Sequence, residues 1–288
     1  MPSLFGCLLV GLFFVVFFVI RRKSDSPPDA CGSLQIWSHR GHLDSSSPES
    51  KSWSCQHVLG ELRANGIYHF DIDILFHEDQ VIVAHPTEMG DDLGDFSPSP
   101  CSKIPLADFI AMIESYYGDD FYITMEPKSS WTEKGSFLSP PDQVVGGILN
   151  VLDTSPVPHQ RCGIILDPWQ VEDSRIHPLL HRIQRHCNLV TPLRRNLAPL
   201  DKKDIPPRIF QLIMPTIELF GDERNGKAWL KETRSTSSQQ VIAWIVDTME
   251  TLARALNFGF EGAISNHPVR LKAMYEKLCG TSDIKLRL

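Results

Sequence analysis

The sequence of 288 residues predicts an α/β protein: a single (β/α)8 TIM barrel preceded by an N-terminal transmembrane helix. Three observations carry that expectation. Short apolar segments alternate with amphipathic ones along the chain, the pattern of parallel strands joined by helical crossovers. About 255 residues follow the N-terminal segment, the size of one such barrel. And the first charged residue is Arg21, after a long uncharged start.

The uncharged run is Leu4–Ile20, LFGCLLVGLFFVVFFVI. At ~1.5 Å per residue it extends roughly 25 Å, close to a ~30 Å hydrocarbon core. No Lys or Arg precedes it, and Arg21, Arg22 and Lys23 follow. A cleaved secretory signal carries its positive charge ahead of the apolar run, so a retained anchor over residues 1–23 is favoured. By the positive-inside tendency the basic cluster and the domain behind it stay cytoplasmic, with a lumenal or secreted domain as the alternative. Residues 24–33, containing Pro27 and Pro28, read as a linker, and 34–288 as the barrel domain.

Along the domain the elements follow in order. Gln35–Ser38 is a strand, and Gln56–Ala64 a helix that stops at Asn65-Gly66. Tyr68–Leu75 is a strand with Val81–Ala84 as its hairpin extension. Pro105 opens a helix with Leu106, Phe109, Ile110 and Ile113 on one face. Phe121–Met125 is a strand, Gln143–Leu152 a helix and Gly163–Leu166 a strand. Ser174–Arg185 reads as a helix disturbed by Pro178. Asn188–Thr191, Arg208–Ile213, Val241–Val246 and Ala263-Ile264 complete eight principal strands. Thr248 caps a helix that ends at Gly259, and Pro268–Leu278 is the last helix.

Composition removes some functions. A net charge of -7 argues against nucleic acid as the main partner, because a duplex binder needs a basic face. Of seven Cys, Cys7 lies in the apolar run and six are spread without CxxC or zinc spacing. An even number leaves disulfides open, but free thiols fit the expected cytoplasmic orientation.

The chemistry lies where strands end, which in a barrel is the face that holds the active site. His39-Arg40 ends the first strand. Asp71 and Asp73, at i and i+2, share one face of the second, and His85 ends its extension. Glu126 and Lys128 end the third, and Trp244 lies on the seventh. Three carboxylates so placed repel by about 4 kcal/mol per pair at ~4 Å and an effective dielectric of 20. A divalent cation, Mg2+ or Ca2+, removes that penalty through oxygen ligands. Two His residues supply an acid and a base near neutral pH, and Arg40 and Lys128 favour an anionic, phosphate-bearing substrate. Together these describe phosphoester cleavage.

Ser38-His39-Arg40-Gly41, Pro48-Glu49-Ser50, Asp71-Ile72-Asp73, His85 and Met125-Glu126-Pro127-Lys128, in this order, resemble the glycerophosphodiester phosphodiesterase family. Ala243-Trp244-Ile245-Val246 and Gly262-Ala263-Ile264-Ser265-Asn266-His267-Pro268 continue the resemblance, which thins to strand spacing between about 130 and 235. It implies His39 and His85 as the acid/base pair and Asp71, Asp73 and Glu126 as ligands of the divalent cation. Arg40 and Lys128 would contact phosphate, and Trp244 would line the pocket. Glycerophosphodiesters or lysophospholipids would be the substrates, with membrane contact through the N-terminal helix.

The sequence departs from the family at Asp71, where Glu is usual, at Pro86, where Asp is usual, and at Ser50, where Asn is usual. The segment between His85 and Glu126 is short, as in the related sphingomyelinase D branch, which lacks the Arg-Gly seen at Arg40-Gly41. A sphingomyelinase D-like phospholipase and a non-catalytic binding barrel are the alternatives. Glu49 is a lesser candidate as ligand or cap, and His42, His77 and His267 read as bystanders. The acidic stretch Glu88–Asp95 lacks EF-hand spacing and reads as a loop over the rim.

Overall fold

The computed structural model describes residues 31, 33–43, 53–86, 99–128, 139–155, 157–193, 210–217, 220, 223–236 and 239–280. The apolar run Leu4–Ile20, Glu49 and the acidic stretch Glu88–Asp95 lie outside them. Among the described residues no helix is long and apolar enough to cross a membrane.

Strands β1 (Gln35–His39), β2 (His69–His77), β3 (Gln80–Val83), β4 (Ile104–Pro105), β5 (Tyr122–Pro127) and β6 (Cys162–Ile165) come first in the chain. β7 (Asn188–Leu193), β8 (Leu212–Pro215), β9 (Gln240–Trp244) and β10 (Gly262–Ser265) follow. The sheet order is β1-β10-β9-β8-β7-β6-β5-β2-β3-β4, and β1 also pairs with β2. That last pairing closes eight parallel strands into a barrel. β3 and β4 run antiparallel outside it, as the extension of β2.

The helices are α1 (Cys55–Ala64), α2 (Leu106–Tyr117), α3 (Pro141–Thr154), α4 (Pro168–Val171), α5 (Leu180–His186), α6 (Glu223–Thr236), α7 (Met249–Phe258) and α8 (Pro268–Cys279). Their ends follow side-chain chemistry. Ser54 accepts from the His57 N–H at the start of α1. Thr248 and Thr251 form a reciprocal capping box at α7, and Gly259 ends that helix in the left-handed conformation at φ 83°.

Alternation along each strand sorts residues into two environments. Ile36, Phe70, Ile72, Ile123 and Met125 face out into the main core between sheet and helices. Trp37, Ile165, Val190, Leu212, Met214, Ile242 and Ile264 face in and pack on one another in the barrel's middle. On β1 and β2 the inward series is Gln35, Trp37, His39 and His69, Asp71, Asp73. The interior therefore changes from neutral polar at the base, through apolar, to ionisable at the C-terminal rim.

Three sequence expectations change. The helix expected over Ser174–Arg185 is a 3-10 turn at His177–Leu179 followed by the short α5. Pro178 lacks the N–H that a continuous helix would need. The strand expected over Arg208–Ile213 begins at Leu212 and runs to Pro215, and the chain before Phe210 lies outside the described residues.

The free-thiol expectation is overturned. Cys31 bonds Cys279, Cys55 bonds Cys101 and Cys162 bonds Cys187. Partners lie 248, 46 and 25 residues apart, so the tertiary fold and not a local motif brings them together. Cys162, the first residue of β6, and Cys187, just ahead of β7, sit on paired neighbouring strands.

Protein extracted without reductant should show no maleimide-reactive thiol among these six. Replacing Cys55 and Cys101 together by Ser should cost about 2–5 kcal/mol, or roughly 5–15 °C in the thermal midpoint. Full labelling without reduction would show that the thiols are free.

Candidate active site

The site is assembled at the rim by β1, β2 and β5. His39, the last residue of β1, is level with Asp71 on β2, and Asp73 is level with Glu126 on β5. After His39 the chain turns through two left-handed residues, Arg40 at φ 56° and Gly41 at φ 67°. Left-handed backbone is costly for Arg and free for Gly. The turn is held from outside: the Arg40 N–H donates to the Asp71 carbonyl, and the Ser99 hydroxyl donates to the Arg40 carbonyl at 2.8 Å. A Cβ on Gly41 would stand 3.5 Å from Cys101 Sγ, so the Cys55–Cys101 bridge packs directly behind the turn.

The turn aims Arg40 back into the barrel, with Nε 2.8 Å from Asp73 Oδ2. Lys128 Nζ stands 3.0 Å from Asp73 Oδ1 and 2.7 Å from Glu126 Oε1. Burial works to raise the Asp73 carboxyl, but Lys128 and Arg40 outweigh it and hold the group below the ordinary carboxylate range. Among the described residues no Lys or Arg pairs with Asp71. Burial first, then the charge of Asp73, pushes it up to about 6, partly relieved by the Thr124 hydroxyl donating to Oδ1 at 2.8 Å.

His39 is 5% exposed, and burial lowers its imidazole to about 4, so it is neutral at pH 7. Its Nδ1 lies 2.7 Å from Asn266 Oδ1. The protons can be placed by elimination. The Asp247 carboxylate only accepts, and takes bonds from the Ser265 hydroxyl (2.7 Å), the Asn266 N–H (2.9 Å) and Asn266 Nδ2 (2.7 Å). Asn266 must therefore turn its oxygen to His39, which puts the imidazole proton on Nδ1. Nε2 keeps its lone pair, 4.0 Å from Asp71 Oδ2, facing the site. With His39 neutral, that approach is not an ion pair.

His85 follows Ala84, whose N–H donates to the Asp73 carbonyl at 3.0 Å, and its charge acts on Asp73. Trp244 ends β9 with its ring edge-on to His39, centroids 6.1 Å apart. All eight residues expected from sequence thus lie on one rim, with His39 beside Asp71 and His85 beside Asp73. Among the described residues no three His, Cys, Asp or Glu side chains are grouped closely enough to hold a metal ion. Arg40 and Lys128 stand between the carboxylates.

Asp247 and Thr124 lie outside the expected set, and Asn266 stands in an expected motif with no role assigned to it. Asp247 and Asn266 end successive strands, β9 and β10, and that position is the signal that marks them. His42, expected to be a bystander, is 6% exposed at the edge of the cluster. Burial, then Arg40, lowers it to about 4.

No protein-family model matches the sequence. No curated protein sequence matches it either. Solved structures do. A glycerophosphodiester phosphodiesterase from Parabacteroides distasonis superposes with a TM-score of 0.60 at 12% identity, covering 85% of this chain and 99% of that one. An Oleispira antarctica phosphodiesterase in complex with its product, sn-glycerol-3-phosphate, gives 0.56 at 12%, covering 84% and 96%. The tryptophan synthase complex of Pyrococcus furiosus gives 0.51 at 14%, covering 87% and 98%. At these identities the likeness establishes the TIM-barrel fold, which different chemistries share.

Lys128→Met should lower stability by about 2–4 kcal/mol in urea unfolding, because it leaves Asp73 and Glu126 buried with one cation fewer. Adding Asp73→Asn should recover part of the loss. An unchanged midpoint in the single variant would remove the cluster from the forces that hold the rim.

Proposed function

We propose that this chain is a metal-dependent phosphodiester hydrolase acting on glycerophosphodiesters. The observation that carries the reading is the rim cluster, in which His39 lies 4.0 Å from Asp71, His39 and His85 both act on the charge of Asp73, and Arg40 and Lys128 stand among the acids. The names of the similar barrels, one of them bound to a glycerol phosphate, support the same class.

The residues divide the work by charge and protonation. Neutral His39, with its lone pair on Nε2, takes the proton from the attacking hydroxyl or water as it bonds to phosphorus. His85, in its protonated form, gives a proton to the departing alcohol oxygen. Arg40 and Lys128 neutralise the phosphoryl oxygens, and Trp244 walls the pocket beside His39. Asp71, Asp73 and Glu126 offer oxygen only, the donor type of a hard divalent cation, and a metal would have to displace Arg40 and Lys128 from between them. When bound, Mg2+ or Ca2+ would supply further positive charge for the phosphate, with these three residues holding it.

The disulfides move the domain away from the cytoplasmic side first expected. Three bonds persist in an oxidising compartment, so we place the domain on the lumenal or extracellular side, and the thiol measurement above tests this. Membrane attachment through Leu4–Ile20 remains part of the proposal. Cys31, bonded to Cys279 at the end of α8, brings the chain in at the base of the barrel, opposite the rim. Residues 24–30 reach at most about 25 Å, too short to carry the rim round to the bilayer that holds the anchor. That geometry favours a water-soluble glycerophosphodiester over a lysophospholipid in the same membrane.

The test is alcohol release from glycerophosphocholine, glycerophosphoinositol, lysophosphatidylcholine and sphingomyelin with Mg2+, Ca2+ or chelator, alongside calorimetric titration of each metal. Turnover of a glycerophosphodiester that stops in chelator, and falls by ~10² or more in His39→Ala, is expected. Turnover of sphingomyelin alone would indicate the sphingomyelinase D-like alternative. No turnover and no metal binding by folded protein would leave a non-catalytic barrel.

A further inference from the structure

The end of the barrel opposite the rim is hollow. Inward-facing side chains at the first positions of β1, β2, β5, β7 and β9 line a cavity of about 380 Å³, with Gln211 added just ahead of β8. A second hollow of about 450 Å³ adjoins it through Gln35, His69, Tyr122 and Gln160, and charged residues, Asp119, Asp120, Arg161 and Lys272, line that neighbour and not the first cavity. The barrel base is usually the stabilising face, filled by packed side chains.

The lining of the first cavity has a consistent chemistry. It includes no Asp, Glu, Lys or Arg among the described residues. The amides of Gln35 and Gln240 and the imidazole of His69 make no side-chain hydrogen bond to the described protein. Gln211 uses only its oxygen, which accepts from the Leu189 N–H at 2.7 Å. Its NH2 is left for something else. Burial holds His69 neutral, at about 4. One wall is aromatic, with Trp37 4.9 Å from the His69 ring and 5.3 Å from Tyr122.

A cavity with unused amide donors and acceptors, no formal charge and a flat aromatic wall selects by elimination. An ion in it would find no Asp, Glu, Lys or Arg among its lining residues to pair with. An apolar ligand would strand the amides. A neutral ring bearing hydroxyl groups satisfies both surfaces, its edges hydrogen-bonding the amides and its C–H face lying on the aromatics. The apolar middle of the barrel, Trp37 to Ile264, separates this cavity from the rim, so it is not part of the catalytic pocket.

We propose that the base of the barrel is a second binding site, for a neutral polyhydroxylated ligand of the monosaccharide or cyclitol class. It does not depend on the phosphodiesterase reading.

The test is ligand-observed saturation-transfer NMR and calorimetry on the detergent-solubilised full chain, with glucose, N-acetylglucosamine and myo-inositol as probes. Saturable binding of at least one probe is expected. Affinity should fall tenfold or more in Gln35→Ala and in Gln240→Ala, and should be unchanged in His39→Ala. Thermal midpoints within a few degrees of wild type would show that the base variants fold, and their phosphodiester turnover should be unaltered. No saturable binding by any probe would show that the cavity holds only water. Binding that survives both base variants but is lost in His39→Ala would place it at the rim. Either result overturns the proposal.

Discussion

Three acids packed onto adjacent strands at one rim are the constraint on which the rest of the site depends. Asp73 and Glu126 are level neighbours across β2 and β5, and Asp71 is two residues before Asp73 on the same face. A barrel cannot bury such a group unless positive charge enters with it. Lys128 comes from the strand that carries Glu126. Arg40 reaches Asp73 only because the chain after β1 turns through a left-handed Arg-Gly pair, and that turn is backed by Ser99 and Cys101. Barrel closure through β1 and β2, the turn, a disulfide and the charge cluster therefore form one connected device.

Within it the acids are not equivalent. Two cations hold Asp73 ionised, whereas Asp71, buried beside Asp73 and paired with no described Lys or Arg, is raised to about 6. The histidines differ as well. The tautomer of His39 is set from behind by Asn266, and the amide of Asn266 is set in turn by Asp247. Hydrogen-bonding direction, passed through two side chains, leaves the lone pair of Nε2 on the side of the acids.

Much of this could be read in the sequence. Alternation of Asp with Ile on one strand places both acids inside a barrel, and a His-Arg-Gly at a strand end marks the rim. What could not be read depends on closure. Asn266, held by Asp247, becomes the partner of His39 only when β10 pairs with β1, 227 residues away in sequence. The disulfides were obscured for the same reason, since their spacings have no local motif, and the expected cytoplasmic orientation pointed away from them. Pro178 was recognised as disruptive, but not that it would reduce a helix to two short turns. The polar base of the barrel has no local signature, because its amides stand singly at strand starts far apart in the chain.

The central claim is that the rim cations meet a phosphate ester between the two histidines. The most direct measurement is titration of sn-glycerol-3-phosphate into the protein, followed by its 31P resonance, for wild type and for Arg40→Met. A saturable shift in wild type that weakens tenfold or more in Arg40→Met is the expected result. No shift in wild type, or a shift equally strong in the variant, would contradict a phosphate site at this rim.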